Sequence, residues 1–256
     1  MGRRPMRGAI CVMASMVLAQ AAGLAPARGE PASIYHATLA EQGKTAEIST
    51  DEMRRVLAQS SATVIDTRTR AEFDAGHIPG AHLLGAPPAE AVAAVTRLVA
   101  GDKSKALVLY CNGPFCQASR RLADGLAESG FGNVRRYQLG LPVWRALGGP
   151  VAIEIGGIAR IISADRTAVF LDGRPAADFA RGSVAAAHNA PAEDLTSGAL
   201  KKLPLPDDDF NRRIVVFARD GVQARAMADV LGTRPWHNVS FFAGSGDEVI
   251  ALAAGQ

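Results

Sequence analysis

The segment "VIDTRTRAEFDAGHIPGAH" at residues 64–82 returns as "VFLDGRPAADFARGSVAAAHN" at 169–189. Asp66 pairs with Asp172, Arg68 with Arg174, Phe73 with Phe179, Gly76 with Gly182 and His82 with His188, each pair 106 positions apart. A later echo sets Asn133-Val134 against Asn238-Val239. Self-similarity at a fixed period constrains a fold strongly, because one supersecondary plan must serve twice. The repeat predicts two units of roughly 100 residues each, a common domain size. Their junction falls near "ALGGPVAIEIGG", where paired glycines mark loop.

Each unit reads as α/β. Ser49 followed by Glu52 is a capping box that opens a helix, and Met53, Val56 and Leu57 continue it at helical spacing. "ATVIDTR" is a short strand ending near Asp66, and "AEFDAGHIPGAH" is turn-rich. "AEAVAAVTRLVA" is a helix. "ALVLY" is apolar throughout, the pattern of a strand buried on both faces. "QASRRLADGLAESG" is a helix ended by Gly130, and "NVRRYQL" is another strand. "RRIVVFARDGVQARAMADVLG" repeats the strand–loop–helix order in the second unit. Strands alternating with helices predict a parallel sheet, with a functional site at the carboxyl ends of the strands. "YCNGPFC" lies at such an end.

The N-terminus carries Arg3, Arg4 and Arg7, then an uncharged run to Ala27 that ends Ala25-Pro26-Ala27. A positive start, an apolar middle and small residues at the end are the parts of a secretory signal peptide. Residues 1–27 are therefore expected to be cleaved, the alternative being an uncleaved membrane anchor, with 28–45 left as an N-terminal extension and the protein placed in the periplasm or outside the cell. The whole chain has 28 Lys+Arg and 25 Asp+Glu. Cleavage removes three arginines and leaves 25 of each sign, so no basic footprint for nucleic acid remains. No membrane association is expected after cleavage.

Cleavage also removes Cys11, leaving Cys111 and Cys116. An oxidising compartment allows this pair to close. A loop so small gains little entropy from closure, so the pair points to chemistry rather than architecture. The five histidines, at 36, 77, 82, 188 and 237, show no metal-ligand spacing, and no metal or other cofactor is expected. There is no phosphate-binding G-x-x-x-x-G-K-[ST] run.

"VIDTRTRAEFDAGHIPGAHLL", "LVLYC" running into a loop and helix, and "SGFGNVRRYQLGLPVW" together resemble a tandem rhodanese. The first copy covers about residues 46–150, and the second, about 156–256, is degenerate. The resemblance implies two rhodanese-like domains, each a mainly parallel five-stranded sheet flanked by helices. It also implies a catalytic cysteine that carries a transferable sulfur as a persulfide, and only Cys111 matches it. Ala218 stands at the corresponding place in the second copy. The expected function is that of an exported sulfurtransferase. Its partners would be a small sulfur donor, thiosulfate or a persulfide, and a thiol, protein cysteine or cyanide acceptor. The alternative is a non-turnover sulfur carrier, redox sensor or docking protein. Related phosphatases and arsenate reductases carry His-Cys and an Arg six positions on. Tyr110 and Gln117 occupy those places here, which argues against them.

The expected anion-binding loop comprises Asn112, Gly113, Pro114, Phe115, Cys116 and Gln117, with Arg120 on the following helix. Backbone amides and a helix N-terminus just beyond Cys111 would lower its pKa and cradle an anion. Cys116 reads either as a resolving thiol or as a small buried residue. Arg120 and Arg121 read either as pocket cations or as a solvated helix face. Asp66, Arg68, Glu72 and His77 can be read as an acid–base set, but a structural brace around the strand end is the better reading. Trp144 is expected in the core.

Overall fold

The computed structural model describes residues 44–191, 194–195, 203 and 205–255, together with Gly2. The expected signal segment beyond Gly2, Cys11 and most of the 28–45 extension lie outside these residues.

Strand β4 (Leu107–Tyr110) is buried at every position, as its unbroken apolar run predicts. Leu107 and Leu109 face one hydrophobic layer, with Leu122 and Leu126, while Val108 and Tyr110 face another, with Met53 and Trp144. Each fully buried leucine or isoleucine contributes about 1.5–3 kcal/mol relative to exposure. Around β4 stand β1 (Ala46–Glu47), β5 (Val134–Tyr137), β2 (Thr63–Asp66) and β3 (His82–Leu83), in the order β1-β5-β4-β2-β3 and all parallel. Helices α1 (Thr50–Gln59), α2 (Arg70–Ala75), α3 (Ala91–Leu98), α4 (Gln117–Glu128) and α5 (Gly140–Ala146) make the connections. The Ser49–Glu52 capping box forms as expected, and Trp144 is buried.

The second unit repeats the plan. Strands β6 (Ala152–Ile153), β7 (Val169–Asp172), β8 (His188–Asn189), β9 (Ile214–Phe217) and β10 (Val239–Phe242) form a parallel sheet in the order β6-β10-β9-β7-β8. Helices α6 (Ile155–Ala164), α7 (Ala176–Arg181), α8 (Gly221–Gly232) and α9 (Gly246–Ala254) accompany it. The register confirms the repeat: Asp66 stands opposite Tyr110, and Asp172 opposite Phe217.

Two local expectations change. The segment expected as turn begins with α2, because Thr69 and Glu72 form a second capping box and Phe73 is buried beneath it. The second sheet also begins before residue 156. Ala152 and Ile153 pair with Phe241 and Phe242, a two-residue strand too short to announce itself in sequence. Ala152 simultaneously forms an antiparallel bridge with His77, each N–H donating to the other's carbonyl at 2.9 Å. Gly157 then brings α6 against α2, where an added Cβ would lie 2.0 Å from the Asp74 carbonyl oxygen. The second copy is thus docked on the segment that follows Asp66.

Candidate active site around Cys111

Cys111 immediately follows β4, at the carboxyl end of the sheet, and is 5% exposed. Its carbonyl accepts a hydrogen bond from the Leu141 amide at 3.1 Å. Two glycines permit this approach. Gly140 has φ +66°, and a Cβ there would lie 2.3 Å from the Cys111 oxygen and 2.4 Å from the Gly113 nitrogen. Gly113 has φ +116°, a conformation that costs side-chain-bearing residues strain. The Cys116 amide donates to the Gly113 carbonyl at 3.0 Å and closes the loop.

Gln138 holds this loop from below. Its Nε2 donates to the carbonyls of Pro114 at 2.8 Å and Cys116 at 3.1 Å. Its Oε1 accepts from Arg136 Nη1 at 2.7 Å. Both side chains are buried. The sequence reading passed over Gln138, because a glutamine after a strand has no motif of its own. The signal was the polar Arg136-x-Gln138 alternation, which puts two polar side chains on one face of the strand end.

Helix α4 begins at Gln117, with Cys116 as its N-cap. The helix therefore starts six residues beyond Cys111, rather than just past it. The two sulfurs are joined in a disulfide, with the Cα atoms 6.1 Å apart, inside the range such a bond requires. The bond ties the Cys111 sulfur to the residue that caps α4, where unpaired amides and the helix dipole favour an anion. Cys116 is half-buried and bonded, so it is not inert filler. Asn112, Phe115 and Gln117 are exposed, while Gly113 and Pro114 are buried. Arg120 is buried, which removes the solvated-face reading for it, whereas Arg121 is exposed.

The expected brace separates into three parts. Asp66 and Arg68 form the brace proper: Arg68 Nε and Nη2 grip the carboxylate at 3.0 and 2.5 Å, and Nη2 also reaches the Gly76 carbonyl at 2.8 Å. Burial works to lower the Arg68 pKa, but the hydrogen bonds and charge of Asp66 outweigh it and leave the guanidinium raised. Glu72 stands outside that pair. It caps α2 through Thr69 and accepts from the Asn112 amide group, so its carboxyl is held below the usual range, chiefly by Thr69 and against some burial. His77 stacks on Phe73 with ring centroids 3.7 Å apart, and its Nδ1 lies 3.1 Å from the Phe73 carbonyl. Burial pushes its pKa down, which keeps it neutral. These four residues support the strand end and do not converge as an acid–base set.

Tyr110 completes the brace. Its hydroxyl donates to Asp66 Oδ2 at 2.5 Å and accepts from the Ile78 amide at 3.1 Å. Burial, then the Asp66 charge, pushes its pKa well up. The second copy reproduces the Asp172–Arg174 grip and the Arg174–Gly182 contact. Phe217 lacks the hydroxyl, and Ser183 Oγ donates to Asp172 Oδ2 at 2.8 Å instead. Ala218 follows Phe217 as Cys111 follows Tyr110, and its carbonyl accepts from Gly246 as that of Cys111 accepts from Leu141. The second copy keeps the scaffold with no thiol.

A cleft of 440 Å³ opens beside the Cys111 loop, lined by Arg68, Asn112, Leu141 and Arg145 from the first copy and by Asn211, Arg213 and His237 from the second. Among the described residues no cluster of histidine, cysteine or carboxylate groups has a metal-binding arrangement. None of the described helices is long and apolar enough to cross a membrane.

A family model for the rhodanese-like domain matches residues 49–147 and 158–251. An HTH-type transcriptional regulator of Mycobacterium tuberculosis is 34% identical over 104 residues, 41% of this chain and 43% of that protein. A solved thiosulfate sulfurtransferase from Pseudomonas aeruginosa is 21% identical, with a TM-score of 0.37, over 85% of this chain and 46% of its own. A solved rhodanese-like domain from Anabaena sp. is 30% identical, with a TM-score of 0.31, over 36% of this chain and 93% of its own. This chain thus spans less than half the length of the regulator and of the sulfurtransferase. With the family matched across both halves of an internal repeat that folds twice into the same five-stranded parallel sheet, the chain belongs to the rhodanese-like domain family and carries that domain in tandem.

Proposed function

We propose that the chain is an exported sulfurtransferase that carries a sulfane sulfur as a persulfide on Cys111. The observation that supports this most is the placement of Cys111 directly after β4, in a loop shaped by Gly113, Gly140 and Gln138. The matching place in the second copy holds Ala218. Only the first copy then does the chemistry.

The cycle starts with the Cys111–Cys116 disulfide reduced by an external dithiol. The Cys111 thiolate attacks the outer sulfur of thiosulfate. The donor S–S bond breaks, sulfite leaves with its electron pair, and Cys111 becomes a persulfide. A nucleophilic acceptor, cyanide or a thiol, attacks the terminal sulfur, and the Cys111 thiolate leaves. The thiolate is the reacting form, and the N-terminus of α4 favours it. Export to the periplasm or exterior is supported by the arginines and apolar run of residues 1–27. No cofactor takes part in this cycle.

The disulfide itself favours a second reading, in which the Cys111/Cys116 pair serves as a redox-sensing or sulfur-carrying element without turnover. Similarity to a transcriptional regulator fits that role. A thiosulfate:cyanide assay separates the two. The reduced protein is expected to turn over, with the oxidised form and Cys111→Ser inactive. A reduced protein without turnover, or a fully active Cys111→Ser protein, would overturn the enzyme reading.

A further inference from the structure

The helices that follow Cys111 and Ala218 begin on different residues. Helix α8 has Asp220 as its N-cap, and the Asp220 carboxylate accepts from the Gln223 amide at 2.9 Å. Helix α4 has Cys116 as its N-cap, and the Cys116 side chain makes no capping hydrogen bond. A side-chain cap contributes about 1 kcal/mol to a helix. The first copy forgoes that contribution, lengthens the loop and commits the side chain to a bond with Cys111. Two contacts hold Cys116 in place: its amide donates to the Gly113 carbonyl at 3.0 Å, and its carbonyl accepts from Gln138 Nε2 at 3.1 Å. Neither involves a sulfur atom. They stay available when the disulfide is open, and they keep the Cys116 thiol within reach of Cys111.

Access differs between the two sulfurs. Cys111 is 5% exposed, whereas Cys116 is half-buried between the exposed Phe115 and Gln117. Thiol–disulfide exchange depends on access and on which sulfur is attacked. An external thiol meets Cys116 first, and attack there frees the Cys111 thiolate. A Cys111 persulfide presents the converse situation. Its inner sulfur is nearly closed to solvent, but Cys116 is already placed to bond with it. A reactant held in position within the protein outcompetes one drawn from solution. The N-terminus of the twelve-residue α4 also favours the Cys116 thiolate, the attacking form.

We propose that Cys116 is the resolving thiol of a sulfide-releasing activity, in which a dithiol reduces thiosulfate to sulfite and hydrosulfide. This rests on the persulfide reading of Cys111 and gives that persulfide a second outcome. After sulfite has left, the persulfide takes a proton from solvent. The Cys116 thiolate attacks the Cys111 Sγ, the bond between the two cysteine sulfurs forms, and the bond to the outer sulfur breaks. The outer sulfur leaves as hydrosulfide with the bonding pair and the persulfide proton. The sulfane sulfur is reduced and the cysteine pair is oxidised, which gives the disulfide of the structure. A thiolate of the external dithiol then attacks Cys116, and the Cys111 thiolate leaves. The second thiol of the reductant displaces the Cys116 thiolate and closes its own disulfide. The sum is thiosulfate and dithiol to sulfite, hydrosulfide, the oxidised dithiol and a proton.

The test starts from reduced protein freed of reductant and mixed with an equimolar amount of thiosulfate, with no acceptor added. Free sulfide and intact mass are followed together over time. In the parent, Cys111 is expected to gain a sulfur and then lose it, with sulfide appearing in step with the mass of the disulfide form. Cys116→Ser is expected to keep the sulfur on Cys111 and to release no sulfide. Serine is a good N-cap, so this variant should retain α4, and its thermal midpoint against that of the reduced parent checks this. The parent decides the question even without the variant, through the pairing of sulfide with disulfide. A parent that holds its persulfide as long as Cys116→Ser does, or that releases sulfide while both thiols stay free, would overturn the proposal and leave the sulfurtransferase reading standing. Failure of Cys111 to gain sulfur in either protein would overturn that reading, and this proposal with it.

Discussion

Tyr110 and Ser183 solve one problem in two ways. A buried aspartate ends the second strand, in chain order, of each sheet and needs a donor besides its arginine. The first copy uses the Tyr110 hydroxyl, and the second uses Ser183, 106 positions after His77. Tyr110→Phe converts the first copy to the Phe217 arrangement without its serine. It leaves the buried Ile78 amide without an acceptor and Asp66 one donor short. The expected loss is about 1–3 kcal/mol, the usual cost of an orphaned buried group. His77→Ser in the same background supplies the hydroxyl that Ser183 supplies in the second copy. A double-mutant cycle by urea unfolding is expected to show favourable coupling of about 1 kcal/mol between the two changes. Strict additivity would show that the two braces are not interchangeable.

At the scale of elements, the decisive meeting is between the loop after β4 and the turn after β5. Gly140 allows its backbone to touch the Cys111 loop, and Leu141 and Gln138 bind it there. The same contact recurs in the second copy, where a Cβ on Gly246 would lie 2.5 Å from the Ala218 oxygen. Gly140→Ala must therefore push the loop away or abandon a positive φ, a strain of about 1–3 kcal/mol. If the proposed sulfur transfer runs on Cys111, the expected result is a rate lowered more than tenfold at a modest drop in the thermal midpoint, since the misplaced group is at the Cys111 loop. A Gly140→Ala protein with parental activity would show that the loop does not need this support.

Across the whole molecule, the sequence disclosed what repeats and concealed what meets. The 106-residue period, the apolar Leu107–Tyr110 run and the Ser49–Glu52 box carried the tandem α/β architecture, because periodicity and capping are local properties. Strand β6 left no trace, since two residues carry no period. Helix α2 was hidden by the glycines and proline that follow it, although its Thr69–Glu72 box was in plain view. At the site, Cys111 and the Asp66–Arg68 pair were legible from their strand-end positions. Gln138 was not, because its role in holding the loop arises from a contact 22 residues away in the chain. The inter-copy cleft belongs to this second class. It forms where Ala152 bridges to His77 and α6 rests on α2, which sets one copy against the Cys111 loop of the other.

All of these features give Cys111 its meaning only if that sulfur accepts another. The most direct measurement is the mass of the reduced protein after brief exposure to thiosulfate and removal of excess donor, with the modified peptide located by fragmentation. The account predicts one added sulfur atom on the peptide containing Cys111, lost on treatment with cyanide and absent from Cys111→Ser. A native protein that gains no sulfur, or that carries it equally well without the Cys111 thiol, would contradict it.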